Sequence, residues 1–469
     1  MNEIVQVEED VWVGDLLERK AEGEYLHRYI ERLYDADKKD QTSFVLNINS
    51  EWGHGKTWFL KNLCKELRKN RPVVYFDAWK NDFSNDALLS FVSVVCDELS
   101  RMFWKDKPVL QKVSKVKAAF SSVSKGALPI LLSILVKQLT GKALDELNLS
   151  DNVKASFVDA SDELSKVISS SAIDGFITQR NAIDEFSGAV QSLVKEISKT
   201  SDVHLPICIM VDELDRCRPT YAIELLEAIK HLFAVNGIFF ILATDTKQLS
   251  HSIKAVYGEG FNAQAYLKRF FYAEYVLAPP DYRKLSNFLF SSVDFSDKFL
   301  LPSLGDVNVF FAAVSRLFKL SVRDQEQVFS NLTTVLFVSS KGDIHFPFLL
   351  LLVVMKHKFY DDYLNLMHSD SAGVSELSVL FSGYCKDGRC EDVALHLQKN
   401  NGEREAVSVR KVFEHYMRIY DSQVYKTENL YSLKYEYKFQ PEVLKALNGK
   451  ELRDYFKLVE QAGRLAVNA

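Results

Sequence analysis

Gly53-His54-Gly55-Lys56-Thr57 brings together, in one short run, the groups that hold a terminal phosphate. Glycines let backbone N–H groups converge on phosphate oxygens, and a following helix would present its positive N-terminal end. Lys56 would reach the β- and γ-phosphates of a nucleotide, and the Thr57 hydroxyl would hold Mg²⁺. A bare Gly-Lys-Ser/Thr tripeptide occurs by chance in roughly one chain in four of this length at ordinary residue usage, so the flanks decide. An apolar run, SFVLNI (43–48), enters the loop, and a helical pattern through Trp58, Leu60 and Leu63 leaves it. That strand–loop–helix order is what a phosphate-binding loop requires. Gly53, His54, Gly55, Lys56, Thr57 and Trp58 are the candidate nucleotide-contacting residues. One position departs from the usual pattern: Ser50 stands where a glycine is common, five residues before Gly55.

A second chemical element is ICIMVDELDRC (207–217), an apolar strand ending in two acids. On a strand neighbouring the phosphate loop, Asp212 would hold Mg²⁺ through water and Glu213 would polarise the attacking water. The competing reading is that both acids cap the next helix. In ILATDT (241–246), Thr244 or Asp245 could orient water near the γ-phosphate, and turn formation by Thr-Asp accounts for the pair equally well. Asp215 and Arg216 read first as a cap or ion pair at a helix start. Trp79 reads as core packing behind a sheet.

These groups need a scaffold. Strands are expected at 43–48, VVYF (73–76), ICIMV (207–211), IFFILA (238–243) and, more weakly, AEYVLAPP (273–280), with helices between them such as Thr220–Phe233. Alternating strands and helices predict an α/β fold, a P-loop NTPase parallel sheet covered by helices. The interval from 101 to 200 is too long for one crossover and reads as an inserted helical region. The expected division is 1–100 and 201–280 for the two parts of the nucleotide-binding core, and 281–469 for a mostly helical C-terminal region. LKYEYKF (433–439) alternates like a short strand.

The chain has 469 residues, 47% hydrophobic and 26% charged, with a formal net charge of −5. These values suit a globular protein and argue against one that coats nucleic acid. Cysteines 64, 96, 208, 217, 385 and 390 form neither a disulfide framework nor a zinc spacing. The start, MNEIVQVEEDVW, has no apolar signal core, and the longest apolar runs, Ala127–Val136 and Ile344–Met355, each contain a proline and fall short of a bilayer span. The expected location is the cytoplasm, with a peripheral position at the inner membrane as an extension.

Four segments in order resemble the KAP family of P-loop NTPases, relatives of the STAND and AAA+ ATPases: DLLERK (15–20), SEWGHGKT (50–57), FDAWKND (76–82) and MVDELDRC (210–217). YLKRFFYAEYVLAPP (266–280) and LSVRDQEQVF (320–329) are similar to the family's downstream segments, and the resemblance spans about residues 10–360. The resemblance implies ATP binding with Mg²⁺-dependent hydrolysis, and a lead-in, here Asp15 and Leu16, whose backbone lies on adenine. The leading reading is an ATP-driven molecular switch that works with a second copy of the chain or a neighbouring effector protein, and the resemblance adds a role in phage exclusion known among some bacterial relatives. In related ATPases a neighbour's arginine completes the site; Arg269 is the first candidate here, with Lys268 and Arg323 behind it.

Other readings are a GTPase, a small-molecule kinase and an ATP-binding scaffold with little turnover. The GTPase lacks its guanine-reading aspartate, since Lys247 is followed by Gln248 and Leu249. The kinase shows no lid arginines, and an intact Glu213 speaks against the scaffold. Finally, Val109, Val113, Val116, Phe120, Val123, Ala127, Ile130 and Ile134 recur at helical spacing among many lysines, so 105–137 reads as a basic amphipathic helix. The expectation is a contact surface for a partner, a second subunit or lipid, against the alternative that the stripe belongs to the core.

Overall fold

A computed structural model describes residues 10–36, 44–84, 86–122, 171–200, 203–232, 235–293, 299–300, 307–339, 344–368, 375, 394–398, 404–421 and 449–463. The chain divides into two compact units, Met1–Ala278 and Pro279–Ala469.

The first unit is built on five parallel strands: β1 (Phe44–Asn49), β2 (Val73–Asp77), β3 (Ile207–Asp212), β4 (Ile238–Thr244) and β5 (Ala273–Val276). Their order across the sheet is β2-β3-β4-β1-β5. The inner strands are apolar at nearly every position because both faces are covered, as parallel sheets require. Neighbouring residues along a strand therefore enter different cores. Leu46 and Ile48 of β1 and Cys208 and Met210 of β3 lie against helices Arg19–Ala36 and Lys56–Leu67. Val45, Ile209, Val211, Phe240 and Leu242 face the other way, toward helices Ala87–Met102, Pro219–Leu232 and Thr246–Tyr257.

β4 separates the strand that enters the phosphate loop from the strand that ends in Asp212 and Glu213, which corrects the expectation that these two are neighbours. Helix Pro219–Leu232 returns the chain so that β4 pairs with β3 on one side and β1 on the other. Linear order cannot reveal such an insertion. The two sites still meet, because loops at the ends of strands one position apart reach over the strand between them.

The basic amphipathic stripe is corrected as well, where it is described. In helix Lys107–Ser122, Val109, Val113 and Val116 are buried in the second core, between helices Ala87–Met102 and Ser171–Ile197. Phe120 sets its ring edge-on to Phe186, with centroids 5.9 Å apart. Lys117 pairs with Asp97 at 2.8 Å, and the Lys112 Nζ donates to Ser192 Oγ at 2.7 Å. The apolar face is core, and these two lysines serve intramolecular contacts. Val123, Ala127, Ile130 and Ile134 lie outside the described residues. Among the described residues no helix is long and apolar enough to cross a membrane.

The second unit is mostly helical. Its central helix, Phe346–Lys358, is buried over the whole run Phe346–Met355. The long apolar run of the sequence is thus a helix covered all round by Val307–Leu317, Val322–Val338, Val409–Asp421 and Gly449–Gly463. The proline of that run sits in the first helical turn, where its missing N–H costs no bond. An antiparallel hairpin, Ala394–Gln398 with Arg404–Ser408, was not expected. The strand expected at 433–439 lies outside the described residues.

Candidate functional site

β1 delivers the chain to the phosphate loop at the edge where all five strands end. Gly53 and Gly55 take left-handed φ values of 81° and 82°, which side chains disfavour. A Cβ on Gly55 would also lie 3.6 Å from Leu17 Cδ1, which places the lead-in segment against the loop. Ser50 needs no glycine: it is absent from the described residues with positive φ, and its N–H donates to the Thr244 carbonyl at 3.2 Å. Helix Lys56–Leu67 starts directly behind Gly55, so the N–H groups of its first turn face the loop. Lys56 Nζ donates to the carbonyls of Ser50 and Glu51.

β3 brings its two acids to the same place. Thr57 Oγ1 donates to Glu213 Oε1 at 3.0 Å, joining residues 156 apart in the chain. Asp212 is almost fully buried; its Oδ2 accepts from the Tyr75 hydroxyl at 2.6 Å and its Oδ1 from the Glu213 N–H at 2.9 Å. Glu213 adopts a left-handed backbone, φ 61° and ψ 24°. For a residue other than glycine this costs on the order of 1–3 kcal/mol and tends to mark functional positions. It stands at the start of the turn Leu214–Arg216, yet its side chain makes no cap hydrogen bond, so capping does not account for its carboxylate.

Burial pushes the Asp212 carboxyl above its ordinary pKa, against the lowering effect of the Tyr75 and Thr57 hydroxyls. Burial and then the Asp212 charge push Glu213 up as well, opposed by Arg216. Lys56 is pushed down by burial, although the charges of Asp215, Asp245, Glu213 and Asp212 all act to hold its proton. With Arg216 on Glu213, two cations stand among the four carboxylates, an acidic balance that a bound divalent cation would offset.

The donors fit Mg²⁺ rather than a softer metal. The Thr57 hydroxyl and the Asp212 and Glu213 carboxylates offer only oxygen, the choice of hard cations. Among the described residues no cluster of three or more His, Cys, Asp or Glu forms a metal cage. Mg²⁺ held by one or two protein oxygens, with phosphates supplying the rest, needs no such cage.

Several expected residues stand elsewhere. Thr244 is fully buried and donates its hydroxyl to Asn47 Oδ1 at 2.8 Å, so it is a contact within the sheet rather than a presented water-orienting group. Asp245 caps helix Thr246–Tyr257, accepting from the N–H groups of Lys247 and Gln248. Asp15 spends its carboxylate on the N–H groups of Arg19 and Lys20, each at 2.8 Å, and Leu16 is half-buried beside it. Trp58 turns edge-on to the buried Trp12, with centroids 5.9 Å apart. Trp79 is 55% exposed, which corrects its reading as core. Arg269 lies just before β5, and the neighbouring Tyr272 N–H donates to the carbonyl of Val45 near the start of β1. That is the edge where the parallel strands begin, so Arg269 and Lys268 cannot complete the phosphate loop of their own chain. Arg323 belongs to the second unit.

Sequence reading missed Tyr75 and Arg19. Arg19 is buried, pairs with Glu22 at 2.5 Å, and reaches the His54 carbonyl at 3.4 Å. Glu22 in turn accepts from the Tyr275 hydroxyl at 3.1 Å and the Ala278 N–H at 3.0 Å, tying lead-in, loop and β5 together. A single arginine in a polar helix carries no periodic signal that would mark it.

This chain is similar to several known proteins. An uncharacterized protein of Methanocaldococcus jannaschii is 28% identical over 177 residues, 37% of this chain and 90% of that protein. Among solved structures, the Aeropyrum pernix ORC2 protein with ADPNP and ADP covers 96% of this chain and 95% of its own at 13% identity and a TM-score of 0.32. The Thermotoga maritima RuvB Holliday junction branch migration motor covers 79% and 78% at 11% identity and a TM-score of 0.30. The description "KAP family P-loop domain" matches residues 25–331, which take in the phosphate loop, both acids of β3 and all five strands. The chain belongs to the KAP family of P-loop NTPases.

Proposed function

We propose that this protein is a slow, Mg²⁺-dependent ATPase that works as a molecular switch. The observation that carries the reading is the Thr57–Glu213 contact, which brings the phosphate loop and the β3 acids together across an intervening strand. N–H groups of the loop and the first helical turn bind phosphate oxygens, and Lys56 exchanges its two carbonyl partners for the terminal phosphates. Thr57 and Asp212 hold Mg²⁺, which when bound neutralises charge on the phosphates. Glu213, freed from the Thr57 hydroxyl, accepts a proton from the attacking water. Its raised proton affinity suits that task, since a base works best with a pKa near the operating pH.

Phosphate release tests the reading. ATP should be cleaved in preference to GTP, because the segment after β4 offers no guanine-reading aspartate, and chelation of Mg²⁺ should stop cleavage. Equal rates with GTP would reject the preference for adenine and return a GTPase to contention. The acid limb of kcat/KM should lie above the ordinary carboxylate range, because burial holds the Glu213 proton tighter than in water. The same raised affinity means the folded chain binds more protons than the unfolded one between the two pKa values. The stabilisation contributed by Asp212 and Glu213 is then present at low pH and lost as pH rises through the folded values. An acid limb at an ordinary carboxylate pKa would argue against Glu213 as the base.

Arg269 can act only on another copy, given its edge of the sheet. An arginine supplied in trans is worth roughly a thousandfold or more in rate. Turnover per protomer should rise with protein concentration and lose that rise in Arg269→Ala; a rate independent of concentration removes Arg269 from the mechanism.

A further inference from the structure

Arg216 stands three residues after Glu213, at the end of a short 3₁₀ turn (Leu214–Arg216). Its Nε meets Glu213 Oε2 at 2.5 Å. Its guanidinium lies 6.0 Å from the ring centre of Trp52 and 5.6 Å from that of Trp79. Trp52 belongs to the phosphate loop and donates its Nε1–H to Asp215 Oδ2. Trp79 follows β2 in helix Ala78–Asn81. One cation thus links three segments that are far apart in sequence, and both indoles remain substantially exposed, 44% and 55%. Large apolar side chains left at the surface call for a reason, and contact with a cation supplies one.

We propose that Arg216 is a positioning residue for Glu213, and that Trp52 and Trp79 hold Arg216 in place. The proposal rests on the ATPase reading above. Glu213 has two oxygens: Thr57 holds one and Arg216 the other. When the Thr57 hydroxyl turns to the cation, Arg216 becomes the remaining side-chain contact that fixes the base. A flexible carboxylate would sample many rotamers, whereas a charge-assisted contact to a planar guanidinium held near two indoles selects one. Because Trp52 sits in the phosphate loop, occupation of that loop would reach the base through this cation–ring contact. A lysine could supply the charge, but not the planar group that a carboxylate and two indoles can share.

The full chain is tested in three forms: Arg216→Ala, Arg216→Lys and Trp79→Ala. Arg216→Ala should lower kcat tenfold or more, with affinity for a fluorescent ATP analogue changed less than threefold. Arg216→Lys should not restore the rate, and Trp79→Ala should fall between it and the parent. A second readout does not depend on turnover. Removing the guanidinium uncovers the two indole faces, so acrylamide should quench the tryptophan emission of Arg216→Ala more strongly than that of the parent. Unchanged quenching, or full rescue by lysine, overturns the role given to the two indoles. A parental kcat in Arg216→Ala, while Glu213→Gln is inactive, overturns positioning alone and leaves the ATPase reading standing. A parent chain that cleaves no ATP removes both. Unchanged thermal unfolding of the variants separates these outcomes from misfolding, and Trp79→Ala, on an exposed ring, carries the test if Arg216→Ala does not fold.

Discussion

Exchanging Glu213 for glutamine is expected to keep nucleotide bound and to lower turnover by two to four orders of magnitude, the contribution of a positioned general base. The two side chains have nearly the same shape, and the glutamine oxygen can still accept from Thr57. What disappears is the ability to take a proton from water. Affinity should hold or tighten, because removing one carboxylate from the acidic group around Lys56 frees the charge of Arg216 and eases the approach of a polyphosphate. Parallel measurements of phosphate release and analogue binding check this. A variant that turns over at the parental rate would place the base elsewhere.

Lys56→Ala should act on the other quantity and lower ATP affinity by about a hundredfold or more. Truncating one partner of a close charge pair typically costs 2–5 kcal/mol, partly because the remaining charge is left uncompensated. Here the loss is aggravated by geometry. The remaining acids would face the phosphates with no protein cation of the loop between them. Equilibrium binding of ATP, with the variant's folding verified by thermal unfolding, gives the number. Affinity within a few-fold of the parent would mean that the phosphates do not lie on this loop.

The parts of this protein that were legible in its sequence are those set by local chemistry. Four apolar runs became strands with ends shifted by a residue or so, because a strand buried on both faces must be apolar throughout, while the weaker fifth, expected at 273–280, became the shorter, half-exposed edge strand Ala273–Val276. The loop and the two acids could be read because phosphate chemistry demands those residue types at those spacings. The order of strands could not be read, since nothing in IFFILA says which neighbours it will find. The stripe of Val109, Val113 and Val116 misled for a related reason: a helix face that binds a partner and one that binds its own core share one pattern. Trp79 misled in the opposite direction, because tryptophan is usually buried and the cation that occupies it comes from another segment. Arg19 and Tyr75 stayed hidden because their roles are purely tertiary.

The most direct test of the account is a structure of the full chain with Mg²⁺ and a non-hydrolysable ATP analogue. The β- and γ-phosphates should lie on the N–H groups of residues 53–57, with Lys56 Nζ moved from the Ser50 and Glu51 carbonyls onto phosphate oxygens. Mg²⁺ should stand on the Thr57 hydroxyl beside Asp212, with Glu213 released from Thr57 and still held by Arg216. A nucleotide bound elsewhere, or a Thr57 hydroxyl still on Glu213 with phosphates in the loop, would contradict the account.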